Sequence, residues 1–179
     1  LETSKNLIRE TRQGLMNLQD MEIEECVGQL AAALQDKGWV LACAESCTGG
    51  WISKCCTDLV GSSAWFDRSY VAYSYPAKTA MLGVSQQRLL EFGAVSAEIA
   101  CDLAEGARRE SGVQVTLAVT GVAGPGGGTE TKPVGTVWFA WAIEGQSVAV
   151  EKQQFSGDRE AVRRATVLHA LRGLQQRLG

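Results

Sequence analysis

The chain has 179 residues, 45% of them hydrophobic and 21% charged, and a formal net charge of -3. That length suits one domain with its own core, and the composition is globular, which excludes a disordered chain. The slight negative charge gives no general attraction to phosphate backbones, and no apolar run reaches the roughly 20 residues a bilayer span needs.

Direct nucleic-acid binding would need a local basic patch, and no long basic run occurs. Residues 1–20 are polar and charged, with no apolar signal core. The expectation is a cytoplasmic protein with no membrane association. Residues 1–20 read as an amino-terminal extension, frayed or carrying a short helix from Asn6 to Leu18, and residues 21–179 as a single domain.

Ile23, Val27, Leu30 and Leu34 recur at helical spacing, with Gly38 placed as a left-handed cap, so a helix of about 15 residues is predicted. The apolar run WVLACA, ending at Ala44, follows as a strand, and AESCTGGW leads into a second helix with Ile52, Cys55, Cys56 and Leu59 on one face. DRSYVAYS alternates like a strand, and KTAMLGV and SQQRLLEFG read as short helical pieces. Ser96 caps a helix bearing Ile99, Leu103 and Ala107. VQVTLAVTG has the near-continuous apolar character of a strand buried on both faces. After the glycine loop VAGPGGGTETKPVG, TVWFAWAIE and SVAVEKQQF form a hairpin around Glu144, Gly145 and Gln146. Asp158 caps a last helix with Val162, Ala165, Leu168, Leu171 and Leu174 as its stripe. Helices alternating with strands and a late hairpin predict an α/β fold, a three-layer α/β/α sandwich around a mixed sheet of about five strands.

Six cysteines at 26, 43, 47, 55, 56 and 101 lack any paired C-x-x-C spacing, and His169 is the only histidine. The pattern predicts small buried thiols in a reducing compartment, with no metal site and no cofactor.

The chemistry is expected where ESCTGG leaves the first strand. A residue on a strand-to-helix turn is pushed out of the core, and the first helical N–H groups have no internal partners. The turn can therefore present a nucleophile, Ser46 or Cys47, beside oxyanion donors around Thr48 and Gly49. Gly49 and Gly50 lack a Cβ and admit close approach of a substrate. The plainer alternative is that Ser46 or Thr48 caps the helix. GVAGPGGG is followed by no Gly-Lys-Ser/Thr and so is not a Walker loop; it is either a tight turn or a backbone lining for a ligand at Thr120, Gly121 and Gly124. Arg159 and Arg163 share a face near a helix amino end, suited to phosphate or simply to solvent.

ESCTGG at 45–50, GSSAWF at 61–66, AYS at 72–74 with Lys78, LGV at 82–84, GAVS at 93–96, TGVAGPGGGTETKPVGTVW at 120–138 and FSGDREAVR at 155–163 together resemble the CinA carboxy-terminal domain family. The resemblance spans about residues 22–175, with its motifs in order. It implies an amidase that hydrolyses the carboxamide of nicotinamide mononucleotide to the acid nucleotide and ammonia, as in pyridine-nucleotide salvage, and a homodimer. It implies Ser46 as nucleophile. Of the bases that could serve it, His169 lies mid-helix as an interface or surface residue, and Lys54 points to solvent from the helix after the turn. Lys78 follows YVAYS through a turn at Pro76 and can reach a neighbouring strand end. Such a lysine needs a dry site that lowers its pKa from about 10.4 toward 7 or 8. Tyr73 orients Ser46 or the base, packs on the pyridine, or is a core aromatic, and Arg163 contacts phosphate or substrate. The chain departs from the family pattern at Tyr75 and Pro76, where an asparagine commonly follows Tyr-Ser. A catalytically silent paralogue, sensing a nucleotide or binding a protein in competence or DNA damage, is the alternative.

Overall fold

The computed structural model describes residues 18–179. The predicted short helix from Asn6 lies outside the described residues, up to its final Leu18. The elements are α1 (Leu18–Lys37), β1 (Leu41–Glu45), α2 (Trp51–Asp58), β2 (Phe66–Val71), α3 (Tyr75–Leu82), α4 (Gln86–Phe92), α5 (Ala97–Ser111), β3 (Val115–Gly121), β4 (Thr136–Ile143), β5 (Ala149–Gln154) and α6 (Arg159–Leu178). A single 3₁₀ turn, Ser62–Ala64, precedes β2. Over the described residues α1 runs for 20 residues and outruns its apolar stripe.

The five strands form one mixed sheet in the order β2-β1-β3-β4-β5. β1 pairs in parallel with β2 and β3, whereas β4 runs antiparallel to β3 and β5 antiparallel to β4. The two faces of the sheet carry different side chains, as the period of two requires. On one face Leu41, Cys43, Val115, Leu117, Val119, Val137, Phe139, Trp141 and Ile143 pack against the buried stripes of α1 and α6. On the other, Ala44, Ala118, Ala140 and Ala142 meet Ala100, Ala104 and Ala107 of α5. Small residues on both partners let α5 lie close to the strands. These are the outer layers of the predicted α/β/α sandwich.

Two glycines show how tightly the layers meet. A Cβ on Gly173 of α6 would stand 2.3 Å from the Trp141 ring, whose Nε1 donates to the Ala170 carbonyl at 3.0 Å. A Cβ on Gly106 of α5 would meet the Leu82 carbonyl oxygen at 2.4 Å, at the end of α3. Each glycine costs about 1 kcal/mol of helix propensity relative to alanine, and the close packing it admits offsets that.

The chain leaving β1 enters α2 on the large-residue face, while the chain leaving β2 enters α3 on the alanine face. Neighbouring parallel strands whose exits diverge open a crevice at their carboxyl ends. Glu45, Val71 and Gly121 end the three strands there.

Candidate active site

Ser46 is the first residue beyond β1, and its N–H donates to the Val119 carbonyl at 3.1 Å, so the neighbouring strand fixes its main chain. The turn that follows needs two left-handed residues, Gly49 (φ 60°) and Gly50 (φ 96°), before α2 begins. Side chains with a Cβ resist that conformation by roughly 1–2 kcal/mol each. The alternative of Ser46 or Thr48 as helix cap is corrected here: Gly50 is the cap residue, and Glu45 supplies the acceptors for the first-turn N–H groups. Its buried carboxylate accepts from Thr48 Oγ1 (2.7 Å) and from the N–H groups of Gly50 (3.0 Å) and Ile52 (3.0 Å) on one oxygen. The other oxygen accepts from Ser53 N–H and Ser69 Oγ, both at 2.9 Å. Glu45 escaped the sequence reading because it occupies a strand and reaches forward to a helix beginning six residues later.

Pro76 was expected to make a turn; it opens α3 instead. Ser74 is the cap, its Oγ accepting from Ala77 N–H at 3.2 Å, and proline in a first helical turn removes an N–H that would have no helical partner. Lys78 therefore projects from a helix. Its side chain is 1% exposed, and Nζ lies 3.0 Å from Ser46 Oγ, 2.7 Å from the Ala72 carbonyl oxygen and 3.5 Å from that of Tyr73. Burial disfavours the ammonium form and lowers the Lys78 pKa from the ordinary 10.5 to about 8. The neighbouring Cys47 works weakly in the opposite direction. Burial pushes the Cys47 thiol up to about 12, so at neutral pH it is the protonated, weakly nucleophilic form.

Ser46 and Lys78 face a cavity of about 290 Å³. Cys47, Tyr73, Ala94, Thr120, Gly121, Gly124 and Arg159 are among its other lining residues. Thr120 is buried and donates through Oγ1 to the Ala94 carbonyl at 2.7 Å. At Gly121 a Cβ would crowd the Thr136 carbonyl oxygen at 2.8 Å, and at Gly124 (φ 81°) the Val134 side chain at 2.6 Å. The peptide bond from Gly124 to Pro125 is cis.

Other expected residues stand elsewhere. Tyr73 is 57% exposed on the rim, so the core-aromatic alternative does not hold; its hydroxyl accepts from Arg159 at 2.9 Å. Thr48, Gly49, Gly50 and Arg163 are outside the cavity lining. Of the oxyanion donors expected around Thr48 and Gly49, the Gly49 N–H donates to the Ser46 carbonyl (3.1 Å) and Thr48 lies off the cavity, while the Gly50 N–H donates to Glu45. Arg163 grips the turn from outside, Nε donating to the Cys47 carbonyl (3.1 Å) and Nη2 to that of Thr48 (2.8 Å), with its guanidinium 5.3 Å from the Trp51 ring centre. It is Arg159, the first residue of α6, that reaches the cavity, where Nη1 also donates to the Gly124 carbonyl at 2.8 Å.

Tyr75, where the chain departs from the family pattern, accepts from the Ala94 N–H at 3.1 Å through its hydroxyl and braces a cavity wall. Lys54 pairs with Asp58 on the exposed face of α2. His169 packs 4.6 Å from the Phe139 ring and pairs with Glu151, away from the cavity. Among the described residues no group of three or more His, Cys, Asp or Glu side chains converges as metal ligands, and no helix is long and apolar enough to cross a membrane.

A profile of the CinA C-terminal domain matches residues 23–178. The nicotinamide-nucleotide amidohydrolase PncC of Enterobacter agglomerans is 49% identical over 154 residues, which are 86% of this chain and 94% of that protein. Its counterpart from Escherichia coli K12 is 46% identical over 156 residues, 87% of this chain and 93% of that protein. The crystal structure of the competence/damage inducible protein CihA from Agrobacterium tumefaciens superposes with a TM-score of 0.85 at 40% identity, covering 88% of this chain and 95% of that one. Matches of this extent, in sequence and in fold, show that the chain belongs to the CinA C-terminal domain family.

Proposed function

We propose that the protein is a nicotinamide-nucleotide amidase in which Ser46 is the nucleophile and Lys78 the general base. The contact of 3.0 Å between Lys78 Nζ and Ser46 Oγ, inside a cavity, carries this reading. A neutral amine has two N–H donors and one lone pair. The Ala72 and Tyr73 carbonyls are placed to accept the two donors, which leaves the lone pair for the Ser46 hydroxyl. Ser46 Oγ then attacks the carboxamide carbon while its proton passes to Lys78. Lys78 returns that proton to the departing nitrogen, the C–N bond breaks, and ammonia leaves an ester on Ser46. Water attacks the ester, Lys78 accepts its proton and hands it to Ser46 Oγ, and the carboxylic acid nucleotide is released.

The tetrahedral intermediate needs donors for its oxygen. In this turn the Cys47 N–H takes the role, since the Gly49 and Gly50 N–H groups are engaged and Cys47 lines the cavity immediately after the nucleophile. Thr120, Gly121 and Gly124 line the nucleotide side. The phosphate meets Arg159 at the amino end of α6, where guanidinium charge and helix dipole act together. Arg163 acts on the turn and not on phosphate. Tyr73 positions Arg159 and, through its carbonyl, the base.

The names of the PncC relatives supply the substrate class. A cytoplasmic homodimer acting on a free pyridine nucleotide, with no nucleic-acid or membrane partner, belongs to the same reading. A silent binding module finds no support in this geometry, because the Ser46 and Lys78 side chains meet and Tyr75 braces the cavity wall without lining the cavity. Purified protein given nicotinamide mononucleotide should release ammonia and the acid nucleotide in equal amounts, and nicotinamide riboside should be the poorer substrate. No ammonia from the mononucleotide would overturn the reading; equal kcat/KM for both would remove the phosphate contact.

A further inference from the structure

We infer that Glu45 is the positioning residue of the dyad: its side chain holds the nucleophile and its main chain holds the base. The inference rests on the dyad reading above. The carboxylate, 1% exposed, collects five donors, four of them from the eight residues that follow it and the fifth from Ser69 on β2. Two of those donors are N–H groups of the first turn of α2, Ile52 and Ser53, and a third is that of Gly50, which caps α2 and adopts a left-handed conformation. Without an acceptor they would face the interior unpaired. Opposite them, Arg163 receives the two carbonyls of Cys47 and Thr48. The turn carrying Ser46 is thus clamped by an anion on its donors and a cation on its acceptors.

The main chain of the same residue reaches the base. The Ala72 N–H donates to the Glu45 carbonyl at 3.0 Å, and the carbonyl of that same Ala72 accepts from Lys78 Nζ at 2.7 Å. Glu45 therefore connects the two sides of the dyad: its carboxylate orders the turn that carries Ser46, and its carbonyl shares the Ala72 N–H with the carbonyl of Tyr70, also at 3.0 Å. Reaction rates depend steeply on the separation of Oγ and Nζ, because proton transfer and attack need near-contact geometry. Glu45 is not among the residues lining the cavity, and its carboxylate bonds are to Thr48, Gly50, Ile52, Ser53 and Ser69, not to Ser46 Oγ or Lys78 Nζ. Its contribution is geometric, and it belongs in kcat.

Glu45→Gln replaces one acceptor oxygen by a donor. In the better amide orientation Ser69 can turn to accept, but the Ser53 N–H is left facing an NH₂ group. The experiment compares Glu45→Gln with wild type for ammonia release from nicotinamide mononucleotide between pH 6 and 9. In parallel, the labelling rate of Ser46 by a small fluorophosphonate is followed by mass spectrometry of the peptide containing it. The expected result is a kcat about 100-fold lower with KM within about threefold, and an unchanged midpoint of the pH profile. Labelling should slow by a similar factor. A kcat within threefold of wild type, a loss confined to KM, or a shifted midpoint would overturn the inference. If Glu45→Gln does not fold, Ser69→Ala and Thr48→Val, which each remove one donor, are expected to lower kcat several-fold, and wild-type kcat in both would overturn it. Should wild type release no ammonia from the mononucleotide, the substrate assignment fails on its own. The labelling comparison still decides Glu45, with equal rates counting against it.

Discussion

In the turn at residues 45–53 most of the main-chain polarity is bound by buried or half-buried partners, whereas the glycine loop at 122–135 is exposed along most of its length and held at a few points. Main-chain bonds close its two ends, the Val122 N–H on the Thr136 carbonyl and the Gly135 N–H on that of Val122, and between them two long side chains hold it: Arg159 on the Gly124 carbonyl, and Lys132 of the loop itself on the Phe92 carbonyl at 2.7 Å. Both segments line one cavity. The difference separates two tasks. Bond breaking needs fixed distances and a dry environment, and the turn supplies both. Admitting and releasing a charged nucleotide needs a wall that can yield, and a loop closed at its ends but exposed from 125 to 131 can do so.

If Lys78 is the base, replacing it breaks the comparison most severely. Lys78→Arg keeps the charge but presents a guanidinium that stays protonated, so kcat should fall about 10²- to 10⁴-fold with KM little changed. Ser46→Ala sets the floor for the same assay. Near-normal turnover in Lys78→Arg would leave Ser46 in need of another activator, with Tyr73 the next residue to replace.

The dryness of the turn side has a stability signature. Lys78 has a pKa of about 8 in the folded chain and an ordinary 10.5 when unfolded. Above 10.5 both states hold it neutral, and stability is then unaffected by its charge. As pH falls from 10.5 to 8 the unfolded chain gains a proton that the folded chain refuses, so stability declines until both are protonated. Lys78→Met should accordingly be more stable than wild type at pH 7, by about 1–3 kcal/mol after the lost bond to Ala72 is allowed for. In urea unfolding the advantage should shrink between pH 8 and 10.5. An advantage that is constant across that range would contradict a buried, pKa-lowered amine.

A paired substitution sharpens the division of tasks. Arg163→Ala loosens the turn and should lower kcat about tenfold for both nicotinamide mononucleotide and its riboside. Arg159→Ala should raise KM for the mononucleotide about tenfold, or about 1.4 kcal/mol, and leave the riboside unchanged. The reverse assignment, with the phosphate effect on Arg163, would restore the arrangement expected from sequence.

The layers, the alternation of helices with strands and the position of the turn after the first strand were legible because period and glycine placement encode them locally. Ser46 and Lys78 came from motifs, and the structure brings them together. Three features were not legible, each for a physical reason. Pro76 reads equally as a turn former and as a first-turn helix residue, and only the capping bond of Ser74 decides between them. Arg159 and Arg163 lie four apart, almost eclipsed on α6, and one helical turn of rise separates a side chain entering the cavity from one gripping the turn below it. Glu45 sits in an apolar strand where its carboxylate has no sequence-level partner. The donors that justify its burial come from three main-chain N–H groups, from the Thr48 hydroxyl and from a serine 24 positions away. An acid at the end of a buried strand, followed directly by a glycine turn into a helix, is the signal that could have found it.

The pH dependence of kcat in the wild-type enzyme tests the Ser46–Lys78 dyad most directly. If neutral Lys78 is the base, kcat for ammonia release should rise about tenfold per unit from pH 6, bend near pH 8 where the amine loses its proton, and hold level above it. A profile flat from pH 6 to 9 would contradict the assignment of Lys78 as the base.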